Sequence, residues 1–188
     1  MQALLLIDLD HFKLINDQFG HAAGDTVLIA VARRLRDTLR ENDMIVRWGG
    51  EEFLVFVPEA PADRLDEIVL RIMHAISSEP IQHMGHYIQV TVSIGYSPVL
   101  LPPDDVSLGW DRVIGLVDKA LYMAKLHGRN RAYGVGGMLH SGDDALAAVD
   151  SDLEKAWHDG VVDMRVLLGG KSPDATMLTA PSLSSMQH

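Results

Sequence analysis

Residues 44–57 read MIVRWGGEEFLVFV. Two apolar runs, Met44–Trp48 and Phe53–Val57, flank Gly49-Gly50, the pattern of two strands joined in a β-hairpin. Upstream, Thr26–Arg40 carries Val27, Leu28, Val31, Leu35 and Leu39 at a helical period, with Asp25 placed as N-cap. His11–Phe19 is a shorter helix closed by Gly20, and Ala3–Leu9 (ALLLIDL) is a buried strand with Asp8 and Asp10 at its exit. Downstream, Ala62–Ser78 is a long amphipathic helix, and Ile81–Met84 with Tyr87–Tyr96 forms a further hairpin turning at Gly85. Leu108–Leu126 is a third long helix ending at Gly128, followed by a short strand over Arg131–Val135. Hairpins inserted into a strand–helix alternation predict an α+β fold with a mainly antiparallel central sheet flanked by helices. The order fits a ferredoxin-like βαββαβ core.

The chain has 188 residues, enough for one domain over 1–135 and a C-terminal extension over 136–188. In the extension, Asp143–Trp157 reads as one helix and Val161–Leu168 as one strand. From Ser172 onward the Ser-, Pro- and Thr-rich composition predicts disorder. Hydrophobic residues make up 47% of the chain, which supports a real core. The early apolar run Ala3–Ile7 is far short of the ~20 residues of a membrane span, and no signal peptide is expected because it leads straight into acids. Zero cysteines exclude disulfides and thiolate metal sites and fit a cytoplasmic location. The net charge of −10 gives no global electrostatic reason to bind nucleic acid. An acidic chain that binds a nucleotide needs local basic residues and divalent cations.

Two acidic clusters stand out: Asp8 with Asp10 at a strand exit, and Glu51 with Glu52 beyond the Gly-Gly turn. If the first strand neighbours the hairpin, the clusters converge. Gathered carboxylates repel each other and are tolerated when a divalent cation sits between them. Mg²⁺ characteristically takes one or two carboxylates plus substrate phosphates. Two such ions polarise an attacking hydroxyl and a leaving phosphate together. The competing reading makes Asp10 a helix cap and the glutamates a solvated turn.

The hairpin Gly49-Gly50-Glu51-Glu52-Phe53 resembles the signature loop of the GGDEF diguanylate cyclase family in its GGEEF form. Asp8-Leu9-Asp10-His11-Phe12-Lys13, Ile15-Asn16-Asp17, Gly20-His21 and Gly24-Asp25 are similar to that family's first conserved stretch. Ala120-Leu121-Tyr122, Ala124-Lys125 and Gly128-Arg129-Asn130 are similar to its last. The resemblance covers residues 3–133 and implies a nucleotidyl-cyclase-like fold that condenses two GTP into cyclic di-GMP. By resemblance, Asp8, the backbone carbonyl of Leu9, and Glu51 hold Mg²⁺ or Mn²⁺, two ions per site. Glu52 assists at the metal or nucleotide; with Glu51 and Lys125 it belongs to the catalytic set. Asn16 and Asp25 read guanine, an amide and a carboxylate matching its edge. Lys13, Lys125 and Arg129 neutralise the triphosphate beside Gly50; the alternative is that helix-end Lys and Arg are surface charges favoured by the dipole. Phe12, Phe19, Phe53 and Tyr122 are expected in the core.

One half-site cannot close a ring from two nucleotides, so the resemblance implies a homodimer about a two-fold axis. Arg40-Glu41-Asn42-Asp43 resembles the family's Arg-x-x-Asp inhibitory site, with Arg71 as its additional arginine, and implies that cyclic di-GMP binds there as product and inhibitor. The alternative for Arg40 and Asp43 is a helix-end salt bridge. The family's leading D-x-L-T-G-L-x-N-R-R segment is absent from this sequence, so part of the pocket's support is expected to be missing. A chain opening two residues before a core strand reads as shortened, with any upstream sensor or receiver domain outside it. A second function class is a binding module that keeps the product site and lacks catalysis. Intact Asp8, GGEEF and Lys125 favour the enzyme.

Overall fold

The computed structural model describes residues 1–61, 63–101, 106–140 and 142–170. In chain order these form β1 (Ala3–Leu9), α1 (Phe12–Phe19), α2 (His21–Thr38), β2 (Met44–Arg47), β3 (Glu52–Val57) and α3 (Leu65–Ser77). Then come β4 (Ile81–His83), β5 (His86–Ile88), β6 (Val92–Pro98), β7 (Leu100–Leu101), β8 (Val106–Ser107) and α4 (Trp110–Leu126). The chain continues with β9 (Arg131–Met138), α5 (Asp143–Ser151), α6 (Leu153–His158) and β10 (Val162–Leu168). No helix among the described residues is long and apolar enough to cross a membrane.

The main sheet runs β10-β9-β6-β1-β3-β2. Its β6-β1-β3-β2 part is the antiparallel order of a ferredoxin-like βαββαβ core, as the hairpin pattern predicts. β9 joins parallel to β6 through the α4 crossover, and β10 closes the sheet antiparallel to β9. β1 is buried along its whole length because it is central and covered on both faces. Its alternation divides two cores: Ala3, Leu5, Ile7 and Leu9 meet α2 and α3, while Leu4 and Leu6 meet α4.

Several boundaries depart from the sequence reading. α2 starts at His21, so Asp25 lies inside the helix and is not its N-cap. Gly20 takes that place at φ +88°, and its carbonyl accepts the amides of Ala23 and Gly24 at 3.1 and 3.2 Å. The segment expected as one strand over Tyr87–Tyr96 is two strands in different sheets. Gln89 leaves the ladder between them and donates its side-chain amide to the Ser77 carbonyl at 2.6 Å. The β4–β5 turn has positive φ at both Met84 and Gly85, the demand of a tight two-residue hairpin.

In the C-terminal extension the single expected helix is broken at Asp152, which turns extended and caps α6 by accepting the Lys155 N–H at 2.9 Å. Residue 135 lies inside β9, because pairing with β10 carries that strand on to Met138. The Ser-, Pro- and Thr-rich end expected to be disordered lies outside the described residues.

Candidate functional site

Asp8 follows Leu4 and Leu6 in the period-two register of β1, so its carboxylate emerges on the face covered by α4. α4 can reach it because Gly95 on β6 has no side chain. A Cβ there would stand 2.0 Å from the Val117 carbonyl and 2.4 Å from the Leu121 amide. That contact lays the helix backbone on the strand, and Lys125, one turn beyond Leu121, arrives with Nζ 2.9 Å from Asp8 Oδ2 and 3.9 Å from Glu52 Oε1. Glu52 stands opposite Asp8 in the β1–β3 ladder. The Leu9 N–H donates to the Glu51 carbonyl at 3.3 Å, so the hairpin tip is tied to the end of β1. The tip is closed by the Trp48 N–H donating to the Glu52 carbonyl at 2.8 Å, and by Arg47 donating to the Gly50 carbonyl at 2.7 and 3.0 Å. The two acidic clusters therefore converge through Asp8, Glu51 and Glu52.

Burial pushes the Asp8 carboxyl up to about 6; the Lys125 ammonium pulls it down, and the charges of Glu51 and Glu52 push it up again. A carboxylate buried beside two others and held by one lysine is short of positive charge, which a bound cation supplies. Among the described residues no group of three acidic or histidine side chains converges into a ready-made metal cage. Asp8, the Leu9 carbonyl and Glu51 form an all-oxygen set with two carboxylates, and that composition fits Mg²⁺, which completes its shell with water and phosphate oxygens.

These residues border a cleft of about 540 Å³, whose walls include Asp8, Leu9, Lys13, Glu51, Lys125 and Arg129. Two cationic sides, from α1 and from the α4–β9 turn, thus face the acidic end of β1. Asn16 packs where α1 meets α2: a Cβ on Gly24 would lie 1.9 Å from Asn16 Oδ1. Gly24 gives the amide its room, and Asp25 beside it is exposed on α2.

Asp10 separates from Asp8. It is 4% exposed and accepts from Thr91 Oγ1 at 2.7 Å, Ser93 Oγ at 2.6 Å and the Asn130 N–H at 2.9 Å. It is neither an open metal-site carboxylate nor a helix cap, since α1 has no side-chain cap. Its bonds join the exit of β1, the start of β6 and the α4–β9 turn. The sequence held one signal for this: two hydroxyls, Thr91 and Ser93, on one face of a strand.

Arg40 and Asp43 lie on the turn after α2, away from the cleft. The Asp43 carboxylate accepts the Arg40 backbone N–H at 2.9 Å, and the Asp43 N–H donates to the Arg40 carbonyl at 3.0 Å. Asp43 is buried, and no ion pair joins the two side chains among the described residues. The salt-bridge alternative therefore fails. The Arg40 and Arg71 side chains are exposed, with Arg71 on α3, which packs on α2.

Tyr122, expected in the core, is 64% exposed and borders a second cavity of about 450 Å³ between α4 and the α5–α6 turn. Glu154 also lines that cavity and reaches beyond it, a contact that no local pattern announces. His127 Nε2 lies 3.0 Å from Glu154 Oε1, and its Nδ1 is 2.6 Å from the Tyr133 hydroxyl.

The family described as diguanylate cyclase, GGDEF domain, matches residues 1–131. Over 129 residues the chain is 39% identical to diguanylate cyclase A of Treponema denticola, covering 69% of this chain and 34% of that protein. It thus spans about a third of that relative's length. The GGDEF domain of DgcB from Caulobacter crescentus, solved in complex with c-di-GMP, superposes with a TM-score of 0.60 at 30% identity, covering 69% of this chain and 74% of that one. The active GGEEF domain of a Vibrio cholerae diguanylate cyclase gives a TM-score of 0.58 at 30% identity, covering 68% and 78%.

Proposed function

The chain belongs to the GGDEF diguanylate cyclase family, and from that premise we propose that it condenses two GTP into cyclic di-GMP and two pyrophosphates. The observation that carries the reading is the meeting of Asp8, Glu51 and Glu52 with Lys125 at the mouth of one cleft. Mg²⁺ or Mn²⁺ held by Asp8, the Leu9 carbonyl and Glu51 would polarise the α-phosphate and the 3′-hydroxyl. Lys13, Lys125 and Arg129 neutralise the triphosphate and the departing pyrophosphate. Asn16 and Asp25 orient guanine through its amide and imino edge. The hairpin brings its Gly49 and Gly50 backbone close to the nucleotide without side-chain obstruction.

Two ester bonds form from the 3′-hydroxyls to the α-phosphates, two α–β anhydride bonds break, and the two hydroxyl protons pass to solvent. Each protomer holds one nucleotide, so the reaction needs two copies facing each other about a two-fold axis. The chain's contribution is positioning and charge compensation. Cyclic di-GMP binds back at Arg40, Asp43 and Arg71 as an inhibitor. The reaction belongs in the cytoplasm, where GTP is supplied.

Incubating the native full-length protein with GTP and Mg²⁺ and identifying the product by mass tests the reading. Cyclic di-GMP supports it. Cyclic di-GMP binding with no turnover makes the protein a receptor, and a cyclic mononucleotide reassigns the reaction.

A further inference from the structure

The α4–β9 turn that carries Arg129 has an unusual backbone. Gly128, Arg129 and Asn130 follow one another at φ +118°, +60° and +44°, a run in which the arginine is the residue least suited to the left-handed region. Such a conformation persists only where its surroundings over-determine it. Part of that constraint comes from the family domain itself. The Arg129 N–H donates to the Ala124 carbonyl at 2.9 Å, and the Asn130 N–H donates to Asp10 at 2.9 Å.

The rest comes from residues beyond the family match, which ends at 131. Past β10, the Gly169 N–H donates to the Asn130 carbonyl at 2.9 Å, and the Asn130 side-chain amide donates to the Gly170 carbonyl at 3.3 Å. On the other side of the turn, Glu154 of α6 reaches His127, the residue that ends α4, at 3.0 Å. His127 is held in turn by the Tyr133 hydroxyl, and the Tyr133 ring meets Trp157 of α6 edge-on at 6.1 Å. Both flanks of the turn are thus gripped by the C-terminal segment. Lys125, at the end of α4, and Arg129, in the turn itself, are the cations on this side of the cleft.

We infer that the segment from α6 to Gly170 is a brace that fixes the turn carrying the phosphate-binding Arg129, with Glu154 and Gly169 as its positioning residues. This rests on the cyclase reading, because it assigns Arg129 to the triphosphate. The Gly169 contact acts through the main chain and the Glu154 contact through the His127 side chain, both on the flanks of the turn rather than on Arg129 itself. A brace of this kind lowers the cost of ordering the turn when nucleotide binds.

The test uses the full chain, Mg²⁺ and the unreactive analogue α,β-methylene-GTP, followed by calorimetry. Gly169→Pro removes the N–H given to Asn130 and also pushes the Asn130 side chain aside, since a Cβ there would lie 2.0 Å from Asn130 Oδ1; Glu154→Gln removes the charge opposite His127 while keeping its size. Each is expected to raise Kd roughly three- to tenfold, up to about the 1.4 kcal/mol of one decade. In an Arg129→Ala background the same changes should have little further effect, because their energy passes through that arginine.

Wild-type affinity in both variants, or an undiminished effect in the Arg129→Ala background, overturns the brace while leaving the cyclase standing. Failure of the unmutated protein to bind the analogue removes the cyclase reading, and with it the role given to Arg129. If Gly169→Pro lowers the melting temperature enough to populate unfolded chain, Glu154→Gln decides the matter.

Discussion

Asp8 and Asp10 are two residues apart and of the same type, and their surroundings give them different work. Asp8 sits at the cleft against Lys125 and two glutamates, whereas Asp10 spends both oxygens on the scaffold. Replacing Asp10 by Ala leaves Thr91, Ser93 and the Asn130 amide without their acceptor. Ser93 is buried while Thr91 and Asn130 are partly exposed, so at roughly 1–3 kcal/mol for a buried group stranded the loss is expected to be about 2–3 kcal/mol, read from a urea unfolding midpoint. Glu51 is the opposite case. Its side chain is only half-buried and has no structural partner among the described residues, and only its carbonyl is tied, to the Leu9 amide. Glu51→Gln should therefore leave the melting temperature within about a degree or two, since surface changes away from such features stay within about 0.5 kcal/mol, and yet abolish cyclic di-GMP synthesis. Retained turnover in that variant would remove Glu51 from the metal set.

At the scale of elements, two glycines decide how closely helices approach. Gly95 lets α4 lie on β6, and a methyl group there would overlap the Val117 carbonyl and the Leu121 amide, which are backbone and cannot swing aside. Gly95→Ala is expected to cost about 3 kcal/mol or more and to carry Lys125 away from Asp8. Gly24→Ala meets a softer obstacle, the side-chain oxygen of Asn16. That variant should fold, and its KM for GTP should rise while kcat changes less, because the amide assigned to guanine is displaced and the cations are not. An equal fall in kcat at unchanged KM would contradict the placement of Asn16. Both glycines are plain in the sequence. Their partners are not, since the clash depends on which helix crosses which strand and at what height.

Across the whole molecule, the C-terminal segment is tied to the family core by a relay that runs from a buried tyrosine out to a half-exposed arginine. The Tyr96 hydroxyl on β6 donates to Asp66 Oδ1 on α3 at 2.7 Å, and Arg165 on β10 holds the other oxygen at 2.8 Å. Burial and the Asp66 charge push the Tyr96 hydroxyl far above its usual range, so it remains a donor at every physiological pH. The Tyr96 ring lies over Gly134, where a Cβ would come within 2.0 Å of it. Tyr96→Phe should cost about 1 kcal/mol, one neutral-donor bond to a carboxylate that keeps its arginine, measured as a shift in unfolding midpoint. Beyond α2, Arg40 is expected to meet product with its exposed guanidinium, while the backbone turn holds one oxygen of Asp43. Arg40→Ala should weaken cyclic di-GMP binding at least about tenfold, roughly 1.4 kcal/mol, and relieve inhibition without lowering the initial rate. Calorimetry with wild-type affinity would refute that site.

The sequence alone determined the strand order's logic and most of the chemistry-bearing residues. Hydrophobic period and turn residues are local properties, so the Met44–Val57 hairpin, the fully apolar β1 and the long helices were legible, as were the acids and cations that line the cleft. Local pattern also misled where competition was decided at a distance. Asp25 has the chemistry of a cap, but Gly20 could adopt the positive φ that let α2 start a turn earlier. Tyr87–Tyr96 has the composition of one strand, but β5 finds its partner in β4 and β6 finds its partner in β1. Only the tertiary structure separated Asp10 from Asp8, exposed Tyr122, and brought Glu154 and Gly169 to the turn that carries Arg129. Those contacts join residues dozens of positions apart, and their energies exist only once the sheet has brought the segments together.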